Sequence, residues 1–184
     1  MKDSRIFVIG SNSFSGSNFV AKCLRSGLET WGISRSEEPN SVFLPYKWIN
    51  TFERSETSNI FKFSQIDINN DLIKLKKLIE YHKPSIIVNF AAQGMVAESW
   101  RNPTHWYKTN LLSQVDLHDF LRKQNFLKKY IHVTTPEVYG STDEGWKKES
   151  FNFNPSTPYA VSRASCDMHL LSFFKAYKFP VVFT

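Results

Sequence analysis

Ile6-Phe7-Val8-Ile9-Gly10-Ser11-Asn12-Ser13-Phe14-Ser15-Gly16 decides the fold of this chain. Four consecutive apolar residues read as a strand buried on both faces, the signature of a parallel sheet. A turn with two glycines follows, and from about Phe14 the apolar residues Val20, Cys23 and Leu24 recur at helical spacing, with Gly27 placed as a stop. A strand, a glycine turn and a helix in that order form a phosphate cradle. The glycines let the backbone approach a pyrophosphate, and the helix start offers free N–H groups and the positive end of its dipole. Gly10 and Gly16 match the first and last positions of a Gly-x-x-Gly-x-x-Gly loop, and Ser13 stands at the middle one. Two glycines in a turn are a weak signal alone; their place between strand and helix favours a nucleotide loop.

Outward from that loop the chain keeps alternating. Thr30 to Ile33 reads as a second strand, and Ser36 to Asn59, with Pro39, Pro45 and no period, as an extended insertion. Phe61-Lys62-Phe63 leads a third strand ending at Asp67, and Leu72, Leu75, Leu78 and Ile79 mark a helix. Ile86-Ile87-Val88 is a fourth strand, and Pro103 opens a long helix running to Leu121. Tyr130 to Val133 is a fifth strand; a helix from about Pro158 to Tyr177 and a last strand, Val181-Val182-Phe183, complete the series. Strands alternating with helices specify an α/β doubly wound, Rossmann-type parallel sheet with helices on both faces. The whole of 1–184 is expected to be one NAD(P)-binding domain. Ending on a strand suggests a chain cut short before a C-terminal substrate domain.

The 184 residues, 41% hydrophobic and 22% charged, suit a globular domain. A net charge of +6 raises nucleic acid as a partner, but the basic residues are scattered and form no stripe. The first apolar run is too short for a signal-peptide core, no membrane span is visible, and two cysteines make no disulfide framework, so a cytoplasmic location is expected. The five histidines show no ligand spacing, and no metal is assigned.

The second strand ends Gly32-Ile33-Ser34-Arg35-Ser36, where an acid would bond a ribose 2′-hydroxyl and select NAD. Arg35 between two hydroxyls instead suits a 2′-phosphate, because guanidinium grips phosphate through two N–H groups. NADP is therefore expected over NAD, against an exposed surface Arg as the alternative. Asp67 is placed either at the adenine edge or as a cap of the next helix.

Thr134-Thr135-Pro136-Glu137-Val138-Tyr139-Gly140 and Pro158-Tyr159-Ala160-Val161-Ser162-Arg163 carry the chemistry. Tyr159 and Arg163 lie four apart on a helix and share a face. A phenol ionises near pH ~10 and is a poor base at neutrality, but a fixed positive charge and an oxidised nicotinamide favour the phenolate. The Thr135 hydroxyl could hold a substrate alcohol. Tyr159 as a mere hydrophobic anchor and Glu137 as a surface carboxylate are the plainer alternatives.

With the glycine loop, Asn89-Phe90-Ala91-Ala92-Gln93 and Lys108-Thr109-Asn110, these motifs resemble the extended short-chain dehydrogenases of the NAD-dependent epimerase/dehydratase family, and are most similar to its nucleotide-sugar 4,6-dehydratases of dTDP-glucose and GDP-mannose type. The resemblance implies a dinucleotide held by Gly10, Ser13, Phe14, Gly16, Ser34, Arg35, Asp67, Ile68, Ala91, Ala92, Gln93, Thr109, Tyr159 and Arg163. It implies that Tyr159 takes the proton of the sugar 4-hydroxyl, assisted by Thr135, as hydride passes to the nicotinamide. Glu137 would then take the C5 proton, water would leave from C6, and hydride would return there. Thr109 and Asn110 would lie by the cofactor ribose and a proton path.

Two positions depart from the family pattern. Arg163 stands where it has Lys, and Pro136 where dTDP-glucose dehydratases have an acid. Pro136 leaves the group that assists loss of the C6 hydroxyl unidentified and slightly favours a sugar-nucleotide 4-epimerase or decarboxylase. A dinucleotide-binding module without catalysis is the rival from another class. The family also implies a homodimer.

Overall fold

The computed structural model describes residues 5–48, 60–141 and 145–184. By contact they form two compact units. The first comprises residues 5–48, 60–91, 123–133 and 180–184, and holds the entire sheet. Its strands are β1 Ile6–Ile9, β2 Thr30–Ser34, β3 Phe61–Gln65, β4 Ile86–Asn89, β5 Lys129–His132 and β6 Val181–Phe183. All five pairings are parallel, in the order β3-β2-β1-β4-β5-β6. That order is the doubly wound one: the chain steps outward from β1 to β3, then returns to the other side of β1 with β4. The reversal puts the ends of β1 and β4 side by side, and the loops that leave them adjoin.

Among the described residues two helices belong to this unit, α1 Phe14–Arg25 and α2 Leu72–His82. Val20, Ala21, Cys23 and Leu24 of α1 pack with Ile6, Val8 and Val88 in the core. The insertion after β2 is not simply extended. Its described part contains two 3₁₀ turns, Ser41–Phe43 and Pro45–Lys47, and buries Leu44 and Tyr46 in the same core. Tyr46 also donates to Glu38 Oε1 at 2.6 Å, and Lys47 pairs with Glu38 at 2.8 Å. A 3₁₀ turn shows no apolar period, so no local pattern marks this segment as packed. Residues 49–59 of the insertion lie outside the described residues.

The second unit comprises residues 92–122, 134–141 and 145–179 and is helical. Its helices are α3 Pro103–Tyr107, α4 Ser113–Leu121 and α5 Pro158–Tyr177. Pro103 opens α3, and Thr157 caps α5 by accepting from Ala160 N. The long helix expected from Pro103 is interrupted by a π-helical turn, Lys108–Leu112. A π turn widens a helix by one residue and commonly marks a functional position.

Both free cysteines lie in helices and are buried by exposure: Cys23 is 3% exposed and Cys166 0%. Burial pushes the Cys166 thiol up to about 12, with Arg163 acting in the opposite direction, and raises that of Cys23 to about 11. Thiolate is the reactive form. In the native protein neither thiol should react with Ellman's reagent within minutes at pH 7.5, and two should appear on denaturation. Early reaction of Cys23 alone would show that solvent reaches its sulfur.

Candidate active site

The turn after β1 is built for close backbone contact. Gly10 has φ +84°, and a Cβ there would lie 2.7 Å from Ala91 N and 2.8 Å from Phe90 C. Those atoms begin the loop that leaves β4, so only a glycine lets the two adjoining loops meet. A Cβ on Gly16 would collide with the Gly10 carbonyl oxygen. Ser13 is the N-cap of α1: its Oγ accepts from Gly16 N at 3.0 Å and donates to Gly10 O at 2.8 Å. Its hydroxyl closes the turn that a middle glycine would leave open. Phe14 is 86% exposed and begins the helix.

Of the two hydroxyls beside Arg35, that of Ser34 faces the protein. It is buried, accepts from Asn12 N at 3.0 Å and lies 3.4 Å from Ser11 Oγ. Asn12 Nδ2 in turn donates to the carbonyls of Ser36 and Glu37. Ser34 thus fastens the turn after β1 to the end of β2, and Arg35 and Ser36 beyond it are exposed. A buried hydroxyl makes its bonds within the protein. Asp67 lies two residues beyond β3 and is not the cap of α2. Its carboxylate accepts from Asn69 N and Asn70 Nδ2, and Asp71 holds the N-cap position. Ile68 beside it is 6% exposed. Ala91 N donates to Asn89 Oδ1 at 2.9 Å, and Asn89 is itself anchored by its Nδ2 donating to Tyr130 Oη at 2.7 Å.

In the second unit, Asn110 sits in the π turn, fully buried, and ties three segments together. Its Oδ1 accepts from Gln93 N at 2.7 Å, and its Nδ2 donates to Gln93 O and to Ser162 Oγ, each at 3.0 Å. Ser162 Oγ donates onward to Tyr159 O at 2.6 Å. Thr109 precedes Asn110 in the same turn and is half-buried, as is Gln93, while Ala92 is exposed. Tyr159, half-buried in the first turn of α5, is held from the other side as well, its N donating to Ser99 Oγ at 3.1 Å. Ser99 and Ser162 were not singled out in the sequence; a serine three residues past Tyr159 was the available sign of the second, and nothing signalled the first.

Thr135 is the N-cap of a short 3₁₀ turn, Pro136–Tyr139, and its Oγ1 accepts from Glu137 N at 3.4 Å. Thr135 and Glu137 are both half-buried, and Pro136 is exposed. Gly140, at φ +77°, ends the turn, and a Cβ there would strike the Asn154 carbonyl. Arg163 is 3% exposed, so its charge is in the protein interior rather than at the surface. Asp167, one turn further along α5, is 1% exposed and accepts from Thr134 Oγ1 at 2.5 Å. Asp167 was also missed in the sequence, although Arg and Asp four apart on a helix form a charge pair on one face. Among the described residues no group of three or more His, Cys, Asp or Glu could hold a metal.

The model of the GDP-mannose 4,6 dehydratase family matches residues 7–184. The chain belongs to this family. Among its relatives is a dTDP-glucose 4,6-dehydratase of Xanthomonas campestris pv. campestris (strain B100), 26% identical over 96% of this chain and 51% of that enzyme. A dTDP-glucose 4,6-dehydratase from Bacillus anthracis str. Ames, solved with NAD, superposes with a TM-score of 0.77 at 28% identity, over 98% of this chain and 53% of the other. A UDP-N-acetylglucosamine 4-epimerase from Methanobrevibacter ruminantium M1, solved with UDP-N-acetylmuramic acid, superposes with a TM-score of 0.82 at 25% identity, over 100% and 54%. The chain spans about half the length of these relatives. This family member has the doubly wound sheet that the spacing of its apolar runs predicted. No helix among its described residues is long and apolar enough to cross a membrane.

Proposed function

We propose that the protein is the dinucleotide-binding part of a sugar-nucleotide 4,6-dehydratase. The observation that carries this reading is the joint presence of the Gly10–Gly16 cradle with Thr135, Glu137 and Tyr159 in a chain of this family. The pyrophosphate of a nicotinamide dinucleotide rests on the N–H groups at the start of α1, which Ser13 and Ser34 hold in place. Ile68 and Asp67 border the adenine, Arg35 and Ser36 the adenosine ribose, with NADP preferred to NAD; Ala91, Ala92, Gln93 and Thr109 line the rest. The cofactor supplies a hydride acceptor. Tyr159 takes the proton from the sugar 4-hydroxyl, Thr135 Oγ1 holds that hydroxyl, and Glu137 removes the C5 proton once C4 is a ketone. Asn110 serves, through Ser162, by fixing the carbonyl side of Tyr159, and Ser99 fixes the amide side.

Exposed Pro136 can donate no proton, and that favours, as a second reading, a 4-epimerase, which needs no acid at C6. The cytoplasm, a homodimer, and a substrate domain contributed by residues beyond this chain complete the proposal. Full-length protein incubated with NAD or NADP and a panel of dTDP-, GDP-, CDP- and UDP-sugars distinguishes the readings: a 4-keto-6-deoxy product establishes dehydration, an inverted sugar epimerisation, and dinucleotide binding without turnover a module that lacks catalysis. Tyr159→Phe should lower turnover by about two to four orders of magnitude while leaving dinucleotide affinity within about threefold.

A further inference from the structure

Arg163 is a charged side chain buried on a helix that also carries Tyr159. A buried guanidinium is costly unless a carboxylate and hydrogen bonds compensate it. A buried carboxylate, Asp167, stands one helical turn away on α5, and its Oδ2 accepts from Thr134 Oγ1. Both residues act on the Cys166 thiol between them, Arg163 lowering its pKa and Asp167 raising it. Thr134 immediately precedes Thr135. The Asp167–Thr134 hydrogen bond therefore joins the helix of Tyr159 to the segment that carries Thr135 and Glu137.

We propose that Arg163 and Asp167 are positioning residues for the candidate reaction: a buried charge pair that locks α5 to the Thr134–Glu137 segment and so sets Tyr159 against Thr135. The inference rests on the proposed role of Tyr159 and names what holds it. Arginine suits this place because its planar fork can bond a carboxylate through two N–H groups while its stem spans the helix face. A lysine would reach the same carboxylate through a single point charge and leave the geometry looser.

The test uses full-length protein and two variants, Asp167→Asn and Thr134→Val. Asp167→Asn removes the buried carboxylate and is expected to lower stability; Thr134→Val removes one hydrogen bond only and should fold. For Thr134→Val we expect kcat to fall about tenfold with KM and dinucleotide affinity within about twofold, and Thr134→Ser to restore it. A merely structural role would lower the melting temperature and leave kcat per folded molecule unchanged, and that result would overturn the proposal. Should Tyr159→Phe prove fully active, the reading of the site itself fails, whatever Thr134→Val does, so the two failures are distinguishable.

Discussion

Asn110→Ala should abolish turnover almost completely and cost the fold several kcal/mol. Its side chain is fully buried and makes three hydrogen bonds, to Gln93 N, Gln93 O and Ser162 Oγ. Removing it leaves a buried N–H, a carbonyl and a hydroxyl without that partner, each at a cost of about 1–3 kcal/mol. The effect on chemistry follows from the same bonds. Ser162 Oγ also bonds Tyr159 O, and the Gln93 loop is expected to line the dinucleotide. Asn110→Asp is the discriminating control: it keeps the size and the acceptor for Gln93 N but loses the donor to Gln93 O and Ser162 Oγ. Thermal melting and dinucleotide titration would check the first effect, and single-turnover hydride transfer the second. Wild-type kinetics in Asn110→Ala would show that the π turn is only a packing feature.

The sheet was legible because its strands are continuous apolar runs separated by glycine and proline, and that pattern has few alternatives in a βα repeat. Ile6–Ile9, Ile86–Asn89 and Lys129–His132 fall where the runs predicted. The glycine loop was legible for a related reason: Gly10 and Gly16 are needed where a Cβ would meet backbone, which leaves a mark in the sequence. What stayed hidden is made of single polar side chains. Ser99 on Tyr159 N, Ser34 turned into the protein and Asp167 opposite Thr134 each depend on contacts 20 or more residues apart. No local spacing records such a contact. The π turn is hidden for another reason, since one extra residue in a helix shifts its apolar face without breaking the period.

Arg163→Met should be the more damaging of the changes on α5, and the sign of its effect tests what a buried charge does here. Breaking a buried pair by removing one partner typically costs about 3–5 kcal/mol, because the other charge is left uncompensated. Asp167 would be that charge, 1% exposed and accepting from Thr134 Oγ1. Arg163→Lys keeps a positive charge in place, so it should fold with a loss of about 1–2 kcal/mol and retain most activity if charge is what Tyr159 needs. If the fork is what matters, Arg163→Lys should lower kcat about tenfold with KM unchanged, and its pH–rate profile should keep the wild-type shape. A shifted acidic or basic limb would instead place Arg163 in direct electrostatic contact with the reacting proton. The profile, rather than the size of the loss, therefore separates a residue that acts on Tyr159 by its charge from one that acts by holding the helix.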